Sequence, residues 1–146
     1  MKFTVAAAPL LLLVIGLTLC SGAVHSDDEM RKFTKTCGKV LQTSPETFQK
    51  LKDKDYGEDK DLYCLVRCIG IMTRFYDDET GPNWELVEQH LDGKPGFAEY
   101  REAMQQCIAA LDPTAYGEDY CKKSFLYFQC SMQAYKEHIQ GKKTAE

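Results

Sequence analysis

From Ser26 onward, apolar side chains recur at three- and four-residue steps in successive blocks, and no useful stretch alternates apolar with polar. That period is helical, because about 3.6 residues make one turn. Met30, Phe33, Cys37 and Val40-Leu41 form a first stripe, opened by Ser26-Asp27-Asp28-Glu29 in the form of a capping box. Ser44-Pro45 opens a short second helix, with Ser as cap, Pro at the first helical position, and Phe48 and Leu51 inward. Asp53 to Lys60 is charged, contains Tyr56-Gly57, and reads as a loop. A third helix is predicted from about Asp61 to Tyr76, broadly apolar, with Arg67, Gly70 and Arg74 on its remaining side. Asp77 to Pro82 reads as a turn. A short fourth helix is predicted from near Asn83 to Leu91, with Trp84, Val87 and Leu91 on one face and Asp92-Gly93 as the stop. The fifth runs from about Gly96 to Leu111, with Phe97, Tyr100, Met104, Cys107-Ile108 and Leu111 as its stripe, and Asp112 to Gly117 breaks it. The sixth is predicted from about Glu118 to Ile139. Cys121, Phe125, Phe128, Met132, Tyr135 and Ile139 fall within about 40° of one line, and Leu126, Cys130 and Ala134 lie opposite. A helix apolar on two sides belongs in an interior. Gly141 to Glu146 is a polar tail.

The first residues follow a different pattern. Lys2 precedes an almost unbroken apolar run from Val5 to Leu19, and Ser21-Gly22-Ala23 supplies small residues. These are the parts of a secretory signal, too short for a membrane span of about 20 apolar residues. We therefore expect residues 1–23 to be a signal peptide, with cleavage after Ser26 as the alternative. Residues 24–146 then form one helical domain, secreted and without a stable membrane anchor. Removing that segment takes one of the seven cysteines, Cys20, and leaves six. An even number in a secreted chain suits a closed disulfide framework.

The six read Cys37-x26-Cys64-x3-Cys68-x38-Cys107-x13-Cys121-x8-Cys130. On a helix, Cys64 and Cys68 sit on one face one turn apart, whereas Cys121 and Cys130 point to opposite sides. Helices are therefore stapled to one another around a doubly tied member, but six cysteines allow fifteen connectivities and the faces select none of them uniquely. The three-residue and eight-residue gaps resemble those of the six-cysteine insect odorant-binding proteins. Phe75-Tyr76-Asp77-Asp78-Glu79-Thr80-Gly81-Pro82 is similar to the general odorant-binding branch of flies and mosquitoes. The resemblance implies an all-α, six-helix bundle around an apolar pocket, with pairs Cys37–Cys68, Cys64–Cys121 and Cys107–Cys130.

Charge and motif exclude other classes. The formal net charge is −4, and −5 once Lys2 is gone, which disfavours nucleic acid or heparin. The expected mature chain has no His-Glu-x-x-His, no Gly-x-Ser-x-Gly and no spare thiol outside the six, so no enzyme, metal site or cofactor is expected. The adjacent cysteines of secreted phospholipases and plant lipid-transfer proteins are missing, as is the opening Cys-x-x-Cys of saposins. Asp77-Asp78 reads as turn chemistry.

Taken with the resemblance, the Met and aromatic stripes become candidate pocket lining: Phe33, Leu65, Ile69, Met72, Trp84, Leu91, Met104, Ile108, Phe125 and Phe128, with about half expected to be plain core. Arg67 and Arg74 are candidate anchors for a fatty-acid carboxylate, although a solvated face accounts for them more simply. His90 and His138 fit exposed helix ends better than a pH trigger. The function expected is reversible carriage of small hydrophobic ligands, handed to an odorant receptor. The alternatives are a salivary or haemolymph scavenger of host mediators resembling the D7 proteins, which an acid-lined pocket would mark, and a cavity-less interaction protein.

Overall fold

The computed structural model describes residues 24–91 and 94–140. The expected signal segment, the Asp92-Gly93 stop and the polar tail lie outside them. Six α-helices follow in order: α1 (Asp27–Leu41), α2 (Pro45–Asp53), α3 (Lys60–Met72), α4 (Trp84–His90), α5 (Phe97–Ala109) and α6 (Tyr120–Tyr135). A minimal hairpin, β1 (Tyr76–Asp77) against β2 (Gly81–Pro82), joins α3 to α4.

Local chemistry sets most of the helix starts. Ser26 and Glu29 complete the reciprocal capping box of α1. Ser44, Asp59, Asn83 and Asp119 each accept a backbone N–H from the first turn of α2, α3, α4 and α6.

α3 ends four residues before the predicted Tyr76. The Thr73 hydroxyl donates back to the carbonyls of Ile69 and Gly70, and Arg74 turns left-handed at φ 63°. The chain then enters the hairpin, pinned when Asn83 N–H donates to the Phe75 carbonyl. The Asp77 carboxylate caps the turn by accepting from the backbone of Glu79 and Thr80. Gly70 lets the hairpin lie close against α3, since a Cβ there would stand 3.1 Å from Tyr76 Cβ. The predicted end of α6 also changes form, with Lys136–Gln140 making a π turn that buries Ile139.

α6 packs mainly on α3 and α5, and α3 packs also on α1. Disulfides join Cys37 of α1 to Cys68 of α3, Cys64 of α3 to Cys121 at the start of α6, and Cys107 of α5 to Cys130 of α6. α3 and α6 are thus each tied twice. The core is in two parts. Leu91, Tyr100, Met104, Cys130, Ala134 and Ile139 form one, and Leu62, Val66 and Phe125 form the other.

Candidate functional site

Between the two cores the helices leave a cavity of about 510 Å³, within the usual range for small-molecule sites. α6 supplies one wall with Ser124, Tyr127, Phe128, Ser131, Met132 and Tyr135, the spacing of a single helical stripe. α3 faces it with Val66, Ile69, Gly70 and Thr73. Met30 and Thr34 of α1, Leu51 of α2, and Tyr100 and Met104 of α5 close further sides. Phe75, Tyr76 and Pro82 come from the hairpin region, and Val87, His90, Leu91 and Lys94 from α4 and the segment after it. A second hollow of about 680 Å³ meets this wall at Thr34 and Leu51. It is bounded by α1, α2 and their connection alone and carries Arg31 and Lys52, so it is the poorer shelter for an apolar guest.

The polar groups of the lining are mostly hydroxyls, joined by His90 and Lys94. The Tyr100 and Ser131 hydroxyls bond to each other at 2.8 Å. The Tyr76 hydroxyl and His90 Nδ1 are buried with no partner among the described residues. Burial pushes the Tyr76 phenol well above the usual tyrosine range. Burial, helped by Lys94 and His25, holds the His90 imidazole below the ordinary histidine value, so it is neutral at physiological pH. Lys94 Nζ donates to the Tyr135 hydroxyl at 3.4 Å. No Asp or Glu is found in the described lining.

Of the ten residues proposed from sequence, Ile69, Leu91, Met104 and Phe128 stand on the cavity wall. The other six lie elsewhere. Leu65 is fully buried, and Phe125 fills the second core, stacked 4.2 Å from Tyr63. Trp84 and Ile108 pack against the first core without reaching the lining. Phe33 meets the His25 ring edge-on at 5.2 Å. Met72 is 42% exposed.

The reason is rotational. On α6 the lining stripe is turned about 50° from the apolar line through Cys121, because Ser124, Tyr127 and Ser131 belong to it. On α3 the lining stripe centres about 190° from Cys64, whereas Leu65 and Met72 lie at about 80–100°.

Neither candidate arginine reaches the cavity. Arg67 makes a two-point ion pair with Asp78 across to the hairpin, with Nε 2.9 Å from Oδ1. That pairing also corrects its reading as a solvated face. Arg74 is exposed. His138 lies near Glu137 and off the lining, whereas His90, read as an exposed helix end, is part of the wall. Lys94, Ser124, Tyr127 and Ser131 carried no apolar-period signal that would have found them.

Residues 23–134, which hold all six bridged cysteines, match the model of the PBP/GOBP family. The chain belongs to the PBP/GOBP family. This PBP/GOBP chain is similar to general odorant-binding protein 99a of Drosophila melanogaster, 24% identical over 128 residues, which is 87% of this chain and 89% of that one. Its fold is similar to that of fatty acid binding protein OBP56a from the oral disk of the blowfly Phormia regina. The TM-score is 0.61 at 20% identity, covering 77% of this chain and 96% of that one. It is also similar to Anopheles gambiae odorant-binding protein 22a solved with bound cyclohexanone, with TM-score 0.53 at 23% identity, covering 72% of this chain and 90% of that one.

Proposed function

We propose that this PBP/GOBP chain is an extracellular carrier that binds small hydrophobic molecules reversibly and performs no chemistry on them. The observation that carries the reading is the cavity itself, about 510 Å³ with a largely apolar lining and no described carboxylate. A guest that leaves water for such a wall gains roughly 25 cal/mol per Å² of apolar surface. Selectivity is then broad, because one methylene is worth only about 0.8 kcal/mol. The names of two similar structures, one with cyclohexanone and one a fatty acid binding protein, support a ligand of this class.

Residues 1–23 fit a signal peptide, and three bridges suit an oxidising compartment. No helix among the described residues is long and apolar enough to cross a membrane. A carrier of this kind either delivers its guest to a receptor or sequesters it. Scavenging of cationic amines is the less favoured use, since the described lining offers no carboxylate as counter-charge.

The test is titration of the delipidated, disulfide-bonded protein with the fluorescent apolar probe N-phenyl-1-naphthylamine. Saturable binding with a blue-shifted emission is expected, reversed by competing aliphatic ligands. A folded protein with all bridges formed that gives no such signal would remove the carrier reading.

A further inference from the structure

We propose that Lys94 and Tyr135 form a headgroup site for the carboxylate of an amphiphilic ligand whose tail runs along α6. The proposal rests on the carrier reading and specifies the chemistry of its guest. Lys94 is the one lysine or arginine in the described lining. Its ammonium meets the Tyr135 hydroxyl at 3.4 Å and lies 5.4 Å from the centre of the same ring, and no described carboxylate is within ion-pair distance of it. Tyr135 accepts from the lysine and keeps its own O–H to donate. Two donors, one of them charged, therefore converge at one end of an apolar cavity with no described carboxylate between them, the arrangement a ligand carboxylate completes with charge-assisted bonds.

Neither of the other cations considered as anchors serves: Arg67 is held by Asp78, and Arg74 is exposed and off the lining. From Tyr135 the wall continues through Met132, Phe128 and Tyr127 to Ser124, eleven residues or roughly 16 Å of helix. That length accepts an extended medium-chain or long-chain tail with its head at Lys94. Lys94 follows α4 in a connecting segment, partly exposed, so the head sits where the cavity meets solvent and the charge is never fully desolvated.

The experiment compares dodecanoic acid with methyl dodecanoate, by displacement of N-phenyl-1-naphthylamine, in the wild type, Lys94→Met, Lys94→Arg and Tyr135→Phe. For dodecanoate, Lys94→Met is expected to weaken binding about tenfold, Lys94→Arg to restore most of it, and Tyr135→Phe to cost roughly threefold. Because both residues line the cavity, the readout is the acid-to-ester affinity ratio, which should fall in Lys94→Met and return in Lys94→Arg. Equal loss of acid and ester in Lys94→Met, or no loss of acid, overturns the headgroup site while leaving the carrier reading intact. Failure of the wild type to bind probe, acid or ester overturns both.

Discussion

Tyr76 illustrates how a single atom can sit badly in a well-packed place. Its ring lines the cavity and meets Tyr127 edge-on at 6.0 Å, but its hydroxyl is buried without a partner among the described residues. An orphaned buried donor costs about 1–3 kcal/mol relative to a satisfied one. Tyr76→Phe removes the orphan and keeps the ring. It should leave stability unchanged or raise it by about 1 kcal/mol, read from urea unfolding; a clear loss would mean that the hydroxyl has a partner in solution. The eight-residue stretch that resembles one branch of the family contains this tyrosine, yet nothing in the stretch marks its hydroxyl as unpaired. Lys94 was equally silent, because it follows a helix stop and periodicity says nothing about where a connecting residue goes. His90 was misplaced for a related reason: a short helix shows too few residues to fix which of its faces is buried.

Whole helices were easier to read than single side chains. Caps are local, so Ser26 and Ser44 marked their helices before any packing was known. The faces were read less well. Apolar periodicity detects what is buried against side chains, but a cavity wall also recruits serine and tyrosine, and their inclusion turned the α6 stripe away from Phe125 toward Ser124 and Ser131. The end of α3 depended on tertiary structure, since the hairpin and the Thr73 back-bond stop a helix whose sequence would continue.

The cross-links hold these elements in place. Cys64–Cys121 spans 57 residues and joins two facing walls of the cavity, whereas Cys107–Cys130 spans 23. Loop entropy assigns them about 4 and about 3 kcal/mol. The double variant Cys64→Ala/Cys121→Ala should therefore melt lower than Cys107→Ala/Cys130→Ala and lose more probe affinity. The reverse order in a calorimetric scan would show that the α3–α6 link is not the main brace.

For the molecule as a whole, acid should act in two stages. The His90 pKa is depressed below its ordinary 6.5 by burial first, then by Lys94 and His25, with Asp27 opposing. Above that pH neither folded nor unfolded chain protonates it, and stability is flat. As pH falls below 6.5 the unfolded chain takes the proton first, so stability declines until the folded state takes it too. Asp59, lowered chiefly by its bond from Lys50, and Asp77, lowered by the backbone N–H groups of Thr80 and Glu79, contribute stability that is present above about pH 4 and lost as pH falls through their folded values. His90→Gln should erase the first stage and spare the second, as followed by melting temperature between pH 7 and pH 3; an unchanged first stage would assign it to another group.

The first described residues are latched by side chains of their own. His25 donates through Nε2 to the Thr73 carbonyl at 2.8 Å, and its ring is wedged between Phe33 and Phe75. Ser26, the next residue, closes the first helix turn. Trimming three residues further in would therefore unfasten two ends of the bundle at once, the start of α1 and the exit of α3, beside a wall the guest must lean on. A recombinant preparation that begins at Asp27 is a different molecule from one that begins at Val24.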